Sequence, residues 1–121
     1  ACHEENKIII SHEGGIETII GAMHEHIAHA CVQKESCIAL RHLAYHNAEN
    51  QITIPSEGGI QAIIDAMRNH ISHIGVQEEA CTVLYNLACN EENKTTILCE
   101  GGIPLIIGAM RNHSAHPGLQ K

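Results

Sequence analysis

Apolar residues recur along this chain at the spacing of helix faces, and strand-like alternation does not appear over any useful length. Ile60, Ile63, Ile64, Met67 and Ile71 stand at i, i+3, i+4, i+7 and i+11, the single stripe of an amphipathic helix. Ile16, Ile19, Ile20, Met23 and Ile27 reproduce the stripe, and Ile103, Ile106, Ile107 and Met110 begin it again. A second stripe runs through Val76, Ala80, Val83, Leu84, Leu87 and Ala88, repeated by Val32, Ala39, Leu40, Leu43 and Ala44. A third, shorter apolar piece follows Asn6, Asn50 and Asn93 as KIIIS, QITIP and KTTIL. Asparagine is a favoured N-cap because its side-chain oxygen accepts from the free N–H groups of the first turn. Those asparagines therefore predict the start of a helix of about two turns. Gly14-Gly15, Gly58-Gly59 and Gly101-Gly102 come next. A glycine there can take the left-handed conformation that ends one helix and turns the chain into another. Pro55 weakens the end of the middle short helix, and Pro104 falls in the opening turn of a longer one, where a missing N–H costs little.

These helices come in repeating sets of three, one short and two long. The stretch from Glu57 to Asn90 recurs as Glu13 to Asn47 and again as Glu100 to Lys121, and the leading glycines Gly14, Gly58 and Gly101 lie 44 and 43 residues apart. One such unit cannot bury its apolar stripes alone, so neighbours must stack. The expected fold is all-α, an α-solenoid of three-helix repeats with a period of 43–44 residues. The expected organisation is one array over 1–121: residues 1–4 as the tail of a preceding third helix, 5–47 and 48–90 as repeats, and 91–121 as a partial repeat without most of its third helix. Ile8, Ile9 and Ile10 at one end and Ile106, Ile107 and Met110 at the other are then uncovered. This predicts either a portion of a longer array or head-to-tail self-association through the ends.

The residues Leu84, Asn86, Leu87 and Ala88, followed by Glu92, Asn93 and a Gly-Gly turn, give the chain a sequence that resembles the armadillo repeat family over essentially its whole length. The resemblance implies a right-handed superhelix whose third helices line a concave groove for a protein or extended peptide. It also implies a ladder of asparagines that grips the peptide backbone. Asn86 matches the ladder position, and His42 occupies it one repeat earlier. Four residues before those, where nuclear-import members carry Trp, this chain has Ile38 and Thr82. One turn earlier lie Glu35 and Glu79, and beyond the ladder lie His46 and Asn90. Without Trp walls the stem of a lysine side chain has nothing to stack on, so recognition of nuclear-import signals is disfavoured, although the two glutamates could attract basic side chains. The candidate binding residues are Glu35, Ile38, His42, Glu79, Thr82, Asn86 and Asn90.

Charge and chemistry narrow the function further. The net charge of −7 and the lack of any basic run oppose binding to phosphate backbones or anionic membranes. With no Trp or Phe, stacking platforms for single strands are missing too. The six cysteines include Cys37 and Cys81, in register at helical positions, which suits small buried thiols in a reducing compartment better than a disulfide framework. No apolar run spans a bilayer and no leader pattern precedes the first repeat, so a cytoplasmic chain is expected, with the nucleus as the other compartment. Eleven histidines include the in-register pairs His26 and His29, His70 and His73, His113 and His116. His24, His26 and His29, with Cys31, form the densest candidate metal site. A closed zinc site needs four convergent ligands, however, whereas a pair in every repeat makes a ladder. The pairs are therefore expected to be structural, one histidine capping the second helix and the other stacking on its equivalent in the next repeat. No phosphate-cradling loop, H-E-x-x-H motif or nucleophile elbow is present. Neither an enzyme nor a cofactor is expected, and the partner is a protein or peptide.

Overall fold

The computed structural model describes residues 14–112, and every regular element among them is an α-helix. A longer pair, α1 (Gly15–Glu25) and α2 (Ala30–Ala44), precedes the complete unit of α3 (Ala48–Ser56), α4 (Gly59–Asn69) and α5 (Ile74–Leu87). The next unit follows with α6 (Glu91–Cys99) and α7 (Gly102–Asn112). The expectations placed on Asn6, Ile8, Ile9, Ile10, His113, His116 and the Leu119-Gln120-Lys121 segment lie outside the described residues.

The stripes of neighbouring units seal one another, which makes the arrangement an α-solenoid. Ile60, Ile63, Ile64 and Met67 of α4 and Val76, Ala80, Val83, Leu84 and Leu87 of α5 are all buried, in one cluster with Ile16, Ile20, Met23, Leu40 and Leu43 of the preceding unit. Each of these Ile, Leu, Val and Met side chains contributes about 1.5–3 kcal/mol by leaving water. The third helices α2 and α5 share the most extensive helix–helix contact among the described residues, and that pairing positions the face described below.

At the Gly-Gly joints the two glycines have different reasons to be there. Gly14, Gly58 and Gly101 have φ of 73°, 85° and 81°, the left-handed region in which any Cβ is strained. Gly59 instead follows from close packing: a Cβ there would strike the Ile54 side chain and lie 2.7 Å from the Ile54 carbonyl oxygen.

The asparagines do a different job from the one the sequence suggests. Asn47 and Asn90, three residues earlier, are the N-caps of α3 and α6: Asn47 Oδ1 accepts from Asn50 N at 2.9 Å, and Asn90 Oδ1 accepts from Glu92 N and Asn93 N at 2.8 and 3.2 Å. Asn50 and Asn93 sit one turn inside those helices, buried, and donate through Nδ2 to Leu43 O at 2.8 Å and Leu87 O at 2.9 Å. They thereby satisfy carbonyls at the end of the preceding third helix, which has no further turn to accept from. Asn93 Nδ2 also donates to Gln51 O at 2.7 Å. Gln51 is four residues before Pro55, and a proline supplies no N–H to that carbonyl. The helix α3 thus runs through Pro55 to Ser56, and the next repeat fills the acceptor that the proline leaves open.

The change of period from 44 to 43 is local. Ala44 and Ala88 are 44 apart, whereas the caps Asn47 and Asn90 are 43 apart. The additional residue falls at Tyr45-His46, and His46 adopts a φ of 48°, uncommon for a residue with a Cβ. The counterpart of Asn90 is therefore Asn47 rather than His46.

Candidate protein-binding face

Glu35, Ile38 and His42 stand at i, i+3 and i+7 on α2, and Glu79, Thr82 and Asn86 repeat the spacing on α5. Positions at this spacing share one helix face. Glu35, His42 and Thr82 are exposed, while Ile38, Glu79 and Asn86 are half-buried. Because α2 and α5 pack side by side, the two triplets form adjoining rows. Thr82 Oγ1 is turned onto its own helix and donates to Glu78 O at 2.9 Å. Asn90 lies past the end of α5, with its Oδ1 engaged in capping α6.

Glu79 has a partner that its spacing does not reveal. Arg41 Nε, on α2, lies 2.9 Å from Glu79 Oε1. The contact is an ion pair rather than an aligned hydrogen bond, since Nε has no acceptor along its N–H direction. Glu79 also helps set the chemistry of the thiols beneath. Burial, assisted by the charges of Glu79 and Cys81, pushes the Cys37 thiol up to about 12, and burial pushes Cys81 up to about 11. Both stay protonated and unreactive near neutral pH. The folded state holds these protons more tightly than the unfolded one, so the thiols' contribution to stability is intact below about 9, the ordinary thiol value, and is lost as pH rises toward 11–12. At pH 8, iodoacetamide is expected to alkylate the exposed Cys31, Cys89 and Cys99 well before Cys37 and Cys81, as read by peptide mass spectrometry. Equal rates at all five would contradict this packing.

The histidine pairs are placed differently from expectation, and glutamines do the capping assigned to them. Gln33 Nε2 donates to Met23 O at 3.1 Å and His26 O at 2.9 Å, closing the end of α1. In register, Gln77 Nε2 donates to Met67 O at 3.0 Å and His70 O at 2.8 Å at the end of α4. Both glutamines are fully buried. His73 instead caps the beginning of α5, its Nδ1 accepting from Val76 N at 3.1 Å. His70 Nε2 donates to Ile27 O at 2.6 Å, a link from one repeat's turn to the preceding one. His26 and His29 face each other within one repeat, ring centroids 5.8 Å apart and tilted. His24, His26 and His29 are exposed, and among the described residues no three His, Cys, Asp or Glu side chains are placed to share a metal ion.

A second surface is apolar. Cys81, Leu84, Tyr85, Ala88, Ile103 and Ile106 line an open groove of about 500 Å³ between α5, α6 and α7. The stripe that is fully buried on α4 is partly open on α7: Ile64 is 0% exposed against 45% for Ile107, and Met67 0% against 56% for Met110. Ile64 and Met67 are covered by their own third helix and by neighbouring units, and no described helix plays that part for Ile107 and Met110.

Among the described residues, one complete three-helix unit, turned at a left-handed glycine and packed through its third helix on that of the preceding pair, defines a protein of the stacked-helix class. Residues 47–89, the span of α3, α4 and α5, match the family model Armadillo/beta-catenin-like repeat, so that unit of the α-solenoid is similar to an armadillo repeat. Neither a curated protein nor a solved structure matches it. No helix among the described residues is long and apolar enough to cross a membrane.

Proposed function

We propose that the chain is a non-enzymatic interaction scaffold, cytoplasmic or nuclear, that holds a protein or extended peptide across the third-helix face. The contact residues are Glu35, Ile38, His42, Glu79, Thr82, Asn86 and Asn90. The observation that carries this reading is the pair of in-register rows on α2 and α5, presented by helices anchored through buried Leu40 and Leu43 on one and Val83, Leu84 and Leu87 on the other. Armadillo repeats commonly mediate protein–protein contacts, and adjoining rows of mixed acidic, amide and aliphatic side chains suit an extended backbone with alternating side chains. The combined change Glu79→Lys, Asn86→Ala reverses one charge and removes one amide without touching the core. It is expected to reduce partner capture from lysate at least about tenfold, because a lysine beside Arg41 turns a neutral pair into two cations on the face and one backbone contact is lost. Unaltered capture, with an unaltered melting curve, would remove the face from consideration.

A second reading is favoured by the half-exposed stripe on α7 and the apolar groove beside it, a surface suited to self-association. Light scattering over a dilution series tests it: a mass that rises with concentration supports association, and a constant monomer mass rejects it.

A further inference from the structure

Charge on the α2–α5 face is unevenly distributed, although its sequence is nearly repetitive. Glu35 and Glu79 occupy equivalent positions, so an extended ligand crossing both helices would meet two carboxylates. Packed helices lie about 8–10 Å apart, and same-face side chains of an extended chain recur every second residue, about 6.6 Å, so those carboxylates would meet ligand side chains about two residues apart. The second site differs in its neighbour. Arg41 reaches from α2 to place its guanidinium 2.9 Å from Glu79 Oε1, and both side chains are shielded, at 33% and 24% exposure. Glu35 is exposed, and no ion pair at 4 Å or less involves it among the described residues. The residue in register with Arg41 on α5 is Tyr85, which is uncharged and exposed.

We propose that Arg41 is a specificity-determining residue: by neutralising Glu79 it limits the face to extended peptides carrying one basic side chain, seated at Glu35, with an uncharged residue about two positions away. This rests on the reading of the α2–α5 face as a peptide-binding surface. A ligand cation at the second position would meet a locally neutral pair and the guanidinium itself, so it gains no net attraction there and is repelled by Arg41. The first position keeps the full charge of its carboxylate. The order of charge along the ligand is thus set by a side chain lying between the two rows rather than by the rows alone.

The test is selection of a random peptide library, displayed on phage, on the whole chain and separately on Arg41→Gln. Wild-type selection is expected to return peptides with a single basic residue. Arg41→Gln is expected to enrich a second basic residue about two positions from the first, and to bind those dibasic peptides about two- to fivefold more tightly than wild type does, the scale of one partly screened ion pair. The double change Arg41→Gln, Glu79→Gln, which removes both charges, should return the single-basic pattern and serves as the folding control. The same basic content on wild type and Arg41→Gln, with peptides bound to both, overturns the role of Arg41 while leaving the face intact. Enrichment of no peptide on any of the three proteins overturns the binding face and this proposal together.

Discussion

Ile64→Ala is expected to lower the unfolding free energy by about 2–5 kcal/mol, and Ile107→Ala by less than about 1 kcal/mol. The two residues are the same amino acid at the same repeat position, so composition and local helix propensity cancel between them. The difference lies in packing. Ile64 is fully buried, and its Cδ1 reaches toward Gly102, where an added Cβ would sit 3.4 Å away. Truncation there removes apolar contacts and leaves a cavity walled by α4, α5 and the next unit, which can collapse only partly. Ile107 is 45% exposed, and water already reaches much of what the truncation would uncover. Urea denaturation of both variants measures the contrast. Equal losses would mean that the units do not seal one another in the way described.

The second large effect concerns a polar residue. Asn93→Leu is expected to cost about 2–4 kcal/mol, because it leaves the buried Leu87 O and the part-buried Gln51 O without the donor that reaches both. One of those bonds joins consecutive repeats, so the loss falls on stacking as well as on a helix end. Asn47→Ala, at an exposed cap with one bond to Asn50 N, is expected to cost about 1 kcal/mol. If the order were reversed, Asn93 would be acting as a surface cap after all. Thermal melts of the two variants at equal concentration decide the point.

These two cases also show what could be read directly from residues and what could not. The stripe through Ile60, Ile63, Ile64 and Met67 reports helix type and buried face together, because burial imposes the 3.6-residue spacing on the sequence. The Gly-Gly pairs mark the joints for an equally direct reason, since φ near 80° excludes most other residues. The asparagines misled by one turn: Asn47 and Asn50, like Asn90 and Asn93, are both asparagine, and a type preference cannot say which member caps and which is buried. The shift of period at Tyr45-His46 does not decide it, since Asn47 and Asn90, like Asn50 and Asn93, are 43 apart once it is placed; the hydrogen bonds do. Gln33 and Gln77 were equally visible as an in-register pair, but glutamine in a first turn usually faces water, and only the fold shows them turned inward onto the ends of α1 and α4. The rows on α2 and α5 were located by the resemblance, and their spacing puts each row on one helix face. The ion pair from Arg41 to Glu79 did not, because it joins helices whose lateral offset no repeat period specifies.

The central claim is that the exposed rows on α2 and α5 are where a partner is held. Site-specific incorporation of a photo-crosslinking amino acid at Thr82, and separately at the exposed Asn69 on α4, tests it most directly. A discrete adduct from Thr82, absent from Asn69 and lost when Glu79→Lys and Asn86→Ala are added, is the predicted result. Adducts of equal yield from both positions, or from Asn69 alone, would contradict the account.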